Sequence, residues 1–253
     1  MSTINPYVPP SGLPPHLPPA AAPRPGSTLD FGRAFGFFFQ DPNWVQKLLI
    51  GSLFSLLSMF LIGAIFVAGY AARLVRRTAR GEPYPLPEWE DFGGMFAEGL
   101  SVVGAYLLHV APAVIVTAVV FIPLAVLGER NGEPSPAAVF LLIPIVLLAT
   151  LVLLGILVYF PAVFIRVAVE ERFSAAFEFE NNWAFIKRNA TNYLLAIAAF
   201  IVANFIAQFG ILLFCIGILP ATFWCQCAGA YALGEVALRD PGRAASGPPP
   251  LHV

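Results

Sequence analysis

Charge is what this chain has least of. Its 253 residues include 14 Lys+Arg and 15 Asp+Glu, 11% charged in all, where a soluble domain carries about a quarter. With 58% hydrophobic residues and a mean hydropathy of +0.77, a soluble fold around one apolar core is excluded. The net charge is −1, so no basic surface exists for nucleic acid. The largest cationic cluster, Arg73, Arg76, Arg77 and Arg80, flanks an apolar run, where anionic lipid headgroups are the expected counter-charge. Cysteine is scarce too. Cys215, Cys225 and Cys227 all lie in or beside the last apolar run, which argues against a disulfide framework. The Cys225-Gln226-Cys227 pair has no nearby His or acidic ligands, so these are expected to be small packing residues rather than a metal site. The chain has no glycine-rich phosphate loop, no nucleophile elbow and no HExxH helix. No catalytic residue, metal or cofactor is expected.

What the chain has in abundance is long apolar sequence. Four stretches stand out: Leu48–Val75, Leu100–Leu127, Ala137–Val169 and Tyr193–Leu238. Cysteine and tyrosine aside, only Arg73, His109, Arg166 and Glu235 in them can titrate. An uncharged run of about 18 residues suffices to cross a bilayer, so the chain reads as a polytopic integral membrane protein. Tyr193–Leu238 is about 69 Å long as a helix, at roughly 1.5 Å per residue, and must turn back. Gly210, Gly217 and Pro220 offer the break, giving spans near 193–213 and 216–238. Leu48–Val75, about 42 Å as one helix, is either one tilted span or a shallow hairpin bent near Ser58–Gly63.

Both tails are proline-rich. Nine of the 24 prolines fall in Met1–Gly26, which has no apolar core of signal-peptide kind, so insertion is expected to begin at the first long run. Residues 1–28 read as a disordered cytoplasmic tether in polyproline II conformation, and 240–253 as a smaller tail of the same kind. Pro15-His16-Leu17-Pro18 has the PxxP spacing, which leaves a protein partner for this tail open. Between the tails, residues 29–239 form the membrane domain.

Three polar connections each carry aromatic residues just before an apolar run. Leu29–Trp44 holds Phe31, Phe35, Phe37, Phe38, Phe39 and Trp44. Pro87–Leu100 spaces Trp89, Phe92, Met95, Phe96 and Leu100 at helical intervals, opposite Glu88, Glu90, Asp91 and Glu98. Phe173–Tyr193 repeats the theme with Phe173, Phe177, Trp183 and Phe185. Such segments are expected to lie in the membrane interface, rings at headgroup depth and charges in water. Trp44, Trp89, Phe92, Phe96, Trp183 and the four arginines 73, 76, 77 and 80 are the expected interface residues. Packing of the rings onto the bundle is the alternative.

The distribution of Lys and Arg sets an orientation. Arg24, Arg33 and Lys47 precede the first stretch, and Arg73–Arg80 follow it. Arg166, Arg172, Lys187 and Arg188 follow the third, and Arg239 and Arg243 close the chain. Only Arg130 lies between the second and third. The positive-inside rule places the Arg80 and Arg188 connections and the C-terminus in the cytoplasm, with the Arg130 turn outside. An internal echo points to a two-fold repeat. Phe39-Gln40-Asp41-Pro42-Asn43-Trp44 resembles Phe179-Glu180-Asn181-Asn182-Trp183, and Gly69-Tyr70-Ala71 resembles Ala230-Tyr231-Ala232.

Three intramembrane polar residues form the candidate site. His109 lies mid-run, where an ionisable group is a functional candidate; alternatively its neutral imidazole bonds a backbone carbonyl freed by Pro112. Asn204 and Gln208, four apart, share a helical face and are expected to stitch helices together or line a polar path. Convergence of the three on one cavity would favour transport. The acidic pairs around Glu88 and Glu170 splay around a helix and read as solvated faces.

The run Gly69-Tyr70…Arg73…Arg76…Ala79-Arg80-Gly81-Glu82…Pro85-Leu86-Pro87-Glu88-Trp89-Glu90-Asp91-Phe92…Phe96…Glu98-Gly99-Leu100 resembles the linker signature of an uncharacterised prokaryotic membrane family, domain-of-unknown-function family 4013. Ala175-Ala176-Phe177-Glu178-Phe179 and Arg188-Asn189…Asn192-Tyr193-Leu194 are similar to its second region. The resemblance covers about residues 29–238. It implies a bacterial or archaeal membrane protein and gives no activity. Members often carry a proline in the middle of the first stretch, where this chain has Ser58-Met59-Phe60, which weighs against the hairpin. The expectation is an all-α integral membrane fold of five or six membrane segments with three interfacial amphipathic helices. Its expected role is that of a non-enzymatic scaffold, assembly or membrane-organising factor in the prokaryotic cell membrane. Membrane lipids are the expected partners, and homo-oligomerisation is left open. A transporter or channel for a small or amphipathic solute is the alternative.

Overall fold

The computed structural model describes residues 26–127, 129–130, 133–212 and 217–242. The PxxP segment and Cys215 lie outside the described residues. The fold is all-helical apart from a two-residue antiparallel pairing of Glu129–Arg130 with Glu133–Pro134. In chain order the helices are α1 (Phe31–Gly36), α2 (Trp44–Leu57), α3 (Ile62–Ala79), α4 (Phe92–Leu127), α5 (Pro136–Glu170), α6 (Phe179–Arg188), α7 (Ala190–Gln208) and α8 (Ile218–Leu238). Six of them pair as consecutive hairpins, α2–α3, α4–α5 and α7–α8.

Among the described residues, three helices are long and apolar enough to cross a membrane: Phe92–Val119, Leu142–Glu170 and Ala190–Gln208. Trp44–Phe60 is a shorter apolar element. These match the expected stretches, and the last stretch does divide, into α7 and α8. The first stretch is a hairpin, contrary to the weight given to its missing proline. The bend comes instead from a 3-10 turn over Ser58–Phe60 and from Leu61, held at φ 62°. Gly63 then lets α3 lie back on α2, since a Cβ there would stand 2.1 Å from the Phe54 carbonyl oxygen.

Local chemistry fixes the ends. The Asp30 side chain accepts from the Arg33 amide at the start of α1, and Asp91 Oδ1 accepts from the Gly94 amide at 3.0 Å at the start of α4. α3 stops at Gly81, whose φ of 75° suits only a residue without Cβ. There the Glu82 amide bonds the Arg77 carbonyl at 3.2 Å.

α3 and α8 are the centre of the bundle. α3 packs on α4 and α8 at once, and α8 on α2, α3 and α7. Small residues allow this closeness: Ala72, Ala79, Ala228, Ala232 and Gly234 are all buried. The far halves of α4 and α5 leave this core and stand alone, with Ile115, Val119, Ile122, Leu147 and Leu151 exposed. Of the three aromatic segments, only the third supplies a separate amphipathic helix, α6. The first is the short α1 followed by a 3-10 turn, with Phe37 and Phe38 buried. The second is extended through Glu90 and then merges into α4.

Candidate functional site

Every ion pair among the described residues lies at one end of the bundle, where α3, α5 and α8 finish and α2 and α4 begin. Arg73 donates to Glu98 at 2.9 Å and to Asp91 at 2.8 Å. Arg76 reaches Glu98 at 2.6 Å and the Ala168 carbonyl at 2.9 Å. Arg77 binds Glu82 and the Leu86 carbonyl, and Arg80 binds Glu171 at 3.2 Å. Carboxylates of the chain itself therefore supply counter-charge to this cluster. The α4 start and α5 end bring Glu98 and Glu171 across from the arginine face of α3, a proximity that sequence spacing does not reveal. The acidic pairs are likewise engaged rather than merely solvated.

A second cluster ties α5 to α6. Arg166 donates to Glu170 at 2.7 Å, to Asn182 at 3.0 Å and to Glu178. The Arg166 guanidinium, helped by Asn181, draws the Glu178 carboxyl down to about 2. Asp91 is held below the usual carboxylate range by the Gly94 amide and Arg73. Burial works against Asp240, but Arg188, Asn189 and the Gly242 amide outweigh it and keep its pKa low. Lys47, only 3% exposed, pairs with buried Asp41 at 2.7 Å and with Glu88 at 2.6 Å.

Beneath this charge layer lies an aromatic stack. Trp89 is buried between Tyr70, at 4.5 Å, and Phe54, at 4.9 Å, both near-parallel, with its Nε1 donating to the Lys47 carbonyl. Trp89 is thus a packing residue of the α2–α3–α8 junction; its indole finds its polar partner in the protein backbone rather than at a headgroup. Trp44 is half-buried against Phe39. Phe92, Phe96 and Trp183 are exposed, at 44%, 36% and 50%, as are Phe173, Phe177 and Phe179. These form the apolar rim of the charged end. Lys187 caps it with its ammonium 5.7 Å from the Trp183 ring.

The three intramembrane polar residues do not converge. His109 Nδ1 bonds the Ala105 carbonyl at 2.8 Å, one turn back on its own helix, not the carbonyl that Pro112 frees. Its ring stacks on Phe177 at 5.6 Å and lies near Tyr159 and Phe179. Asn204 Nδ2 donates to the Phe200 carbonyl at 2.9 Å, again one turn back. Asn204 and Gln208 are exposed on the outer face of α7. A cavity of about 150 Å³ opens between Arg76, Glu98, Ser101, Val102, Ala168 and Phe173. That is smaller than the roughly 300 Å³ at which ligand pockets begin. Among the described residues, no group of three or more His, Cys, Asp or Glu is placed to hold a metal ion; Cys225 and Cys227 are free and buried.

Sequence reading missed two features. One is the Tyr193 hydroxyl, which bridges α7 to α5; its only signal was a tyrosine opening an apolar run. The other is the buried Lys47–Asp41 pair, whose signal was two opposite charges six apart in an aromatic segment. No curated protein and no solved structure matches the chain. The family described as Protein of unknown function (DUF4013) matches over residues 52–216, from within α2 to just before α8, a narrower extent than the 29–238 over which the resemblance was drawn. With most of its length so matched, the chain belongs to the DUF4013 family.

Proposed function

We propose that this protein is a non-enzymatic membrane scaffold, an assembly or membrane-organising factor that presents one charged, aromatic-rimmed face to lipids and partner proteins. The observation that carries this reading is the fate of His109 and Asn204. Each bonds a carbonyl of its own helix, so among the described residues these two outline no shared polar path, while Phe92, Phe96, Phe173, Phe177, Phe179 and Trp183 stand exposed around the charged end. In this reading six membrane segments, α2 to α5 with α7 and α8, enter and leave the prokaryotic cytoplasmic membrane as three hairpins. The arginine-rich end faces the cytoplasm by the positive-inside rule, and the described chain starts and stops there, at Gly26 and Gly242. The Pro-rich tail then hangs on the cytoplasmic side as a tether for a protein partner. The first and last hairpins correspond as halves of a two-fold repeat, with Tyr70 and Tyr231 each on the second helix and each stacked on an aromatic ring, Trp89 and Phe37. Homo-oligomerisation is compatible with this arrangement.

One observation favours the alternative, a transporter or channel for a small or amphipathic solute: His109 Nε2 is buried without a hydrogen-bond partner. The two readings separate in a complementation experiment. The triple variant His109→Leu, Asn204→Leu, Gln208→Leu is expressed in cells lacking the native protein. At normal membrane abundance, a scaffold restores the deletion phenotype and a transporter does not.

A further inference from the structure

The α2–α3 hairpin is short for a pair of membrane-crossing helices. Its legs have 14 and 18 residues, and charges shorten the apolar part of each. Lys47 at the start of α2 is locked to Asp41 and Glu88, and Arg73 in α3 to Asp91 and Glu98. Both legs are thereby pinned at the charged end. From Lys47 to the tip, and from the tip to Arg73, each leg covers only about 15–17 Å at 1.5 Å per residue. A crossing needs about 30 Å. The neighbouring α4 gives the scale, for it runs from Glu98 to Leu127, about 44 Å by the same rise. α3 lies directly on it, with Gly69 against Gly99, so the hairpin ends less than halfway along α4.

The chemistry of the tip fits that depth. Met59, Phe60, Leu61 and Ile62 are 80%, 72%, 75% and 58% exposed, four consecutive apolar side chains. The turn nonetheless pairs part of its own backbone. The Leu61 amide bonds the Ser58 carbonyl at 3.1 Å, the Ile65 amide bonds the Leu61 carbonyl at 3.3 Å, and Ser58 Oγ donates to the Phe54 carbonyl at 2.9 Å. In hydrocarbon, where water is absent, irregular backbone is costly unless so paired. The turn between α4 and α5 has the opposite composition, Gly128-Glu129-Arg130-Asn131-Gly132-Glu133-Pro134-Ser135, as a turn that emerges into water requires.

We propose that α2–α3 is a re-entrant wedge: it enters from the arginine-rich face, lodges Met59–Ile62 among the acyl chains near the bilayer midplane, and leaves by the same face without crossing. The occupant of the exposed tip is lipid hydrocarbon. The protein therefore adds helix volume to one leaflet only, while α4–α5 passes through both. This deepens the scaffold reading by naming the leaflet on which it acts. The depth of the tip is nevertheless measurable apart from that reading, since a scaffold with a fully crossing hairpin would still be a scaffold.

The test uses the full chain in vesicles of phosphatidylcholine and phosphatidylglycerol. Nitroxides are attached at Leu61→Cys and, as a reference, Asn131→Cys, with the three native cysteines replaced by alanine. Collisions with oxygen and with an impermeant nickel chelate report depth. The label at residue 61 should meet oxygen and lose nickel collisions from both sides, to the level of a label on the lipid chains; the label at 131 should meet nickel. Nickel contact at 61 from the side that reaches 131 would mean a full crossing, and contact from the arginine side would mean a tip outside the membrane. Either overturns the proposal. As a second variant with native cysteines, Phe60→benzoylphenylalanine should photo-crosslink to acyl chains. Crosslinking to another copy or to another protein would overturn lipid as the occupant.

Discussion

The hydroxyl of Tyr193, at the start of α7, is inserted beside the kink-prone turn of α5: it donates to the Val158 carbonyl at 2.6 Å and accepts from the Ala162 amide at 2.9 Å. Pro161 lies within α5 between these two groups and has no amide of its own. A side chain that serves the backbone of another helix at this point locks α5 to α7. Tyr193→Phe keeps the ring but strands the buried Ala162 amide and removes the donor to the Val158 carbonyl, an expected loss of about 1–3 kcal/mol. Thermal unfolding in mild detergent measures it; an unchanged midpoint would show that the hydroxyl is dispensable.

Gly69 and Gly99 hold α3 and α4 in backbone contact. A Cβ on Gly69 would stand 1.9 Å from the Met95 carbonyl oxygen, and one on Gly99 1.8 Å from the Ile65 carbonyl oxygen. Neither obstacle is a flexible side chain, so Gly99→Ala must push the helices apart. Overpacking of this kind costs about 1–3 kcal/mol. A lower unfolding midpoint is expected, together with loss of the Arg73–Glu98 register; a Gly99→Ala protein as stable as the parent would refute the close crossing.

The Lys47–Asp41 pair is the most deeply buried charge pair linking α2 to the segment before it, with side chains 3% and 5% exposed. Lys47→Met leaves Asp41 charged and enclosed, which costs about 3–5 kcal/mol in buried pairs. Asp41→Asn added to it should recover most of the loss, because the asparagine oxygen can still accept the Asn43 amide that Asp41 Oδ1 accepts at 2.8 Å. A double-mutant cycle of unfolding midpoints checks the coupling; additive losses would mean the pair is not the interaction at work.

Acid should loosen the α5–α6 junction. Glu178 has its pKa drawn from about 4.5 to about 2 by Arg166 and Asn181. Because the folded value lies below the unfolded one, its contribution is fully present above about pH 4.5 and is lost as the pH falls toward about 2. Stability measured across that window should fall, and Glu178→Gln should flatten this acid limb while lowering stability at neutral pH. An acid limb identical in the variant would assign it to other carboxylates.

Much of this architecture was legible in sequence. The four apolar stretches gave the helices, because uncharged length alone decides what can be buried in a bilayer. The break in the last stretch followed from its glycines and proline. The first hairpin was left open for a physical reason: its bend is made by Ser58 and Leu61 in an unusual conformation, and no residue type announces that. The aromatic segments were harder. Trp89 and Phe92 share one amphipathic pattern, yet one is enclosed by Tyr70 and Phe54 and the other is exposed. Helical spacing shows that rings share a face, not which surface the face meets. The same limit applies to the arginines of α3, whose carboxylate partners come from α4 and the end of α5, far away in sequence.

The claim that this protein organises other molecules rather than moving or converting a solute is tested most directly by what accompanies it. The protein is extracted from native membrane straight into lipid discs, and everything in the discs is identified by mass spectrometry, for the full chain and for a chain lacking residues 1–25. The account predicts a protein partner in fixed stoichiometry that is lost with the tail. A lone protein carrying one enriched small solute in both preparations would contradict it.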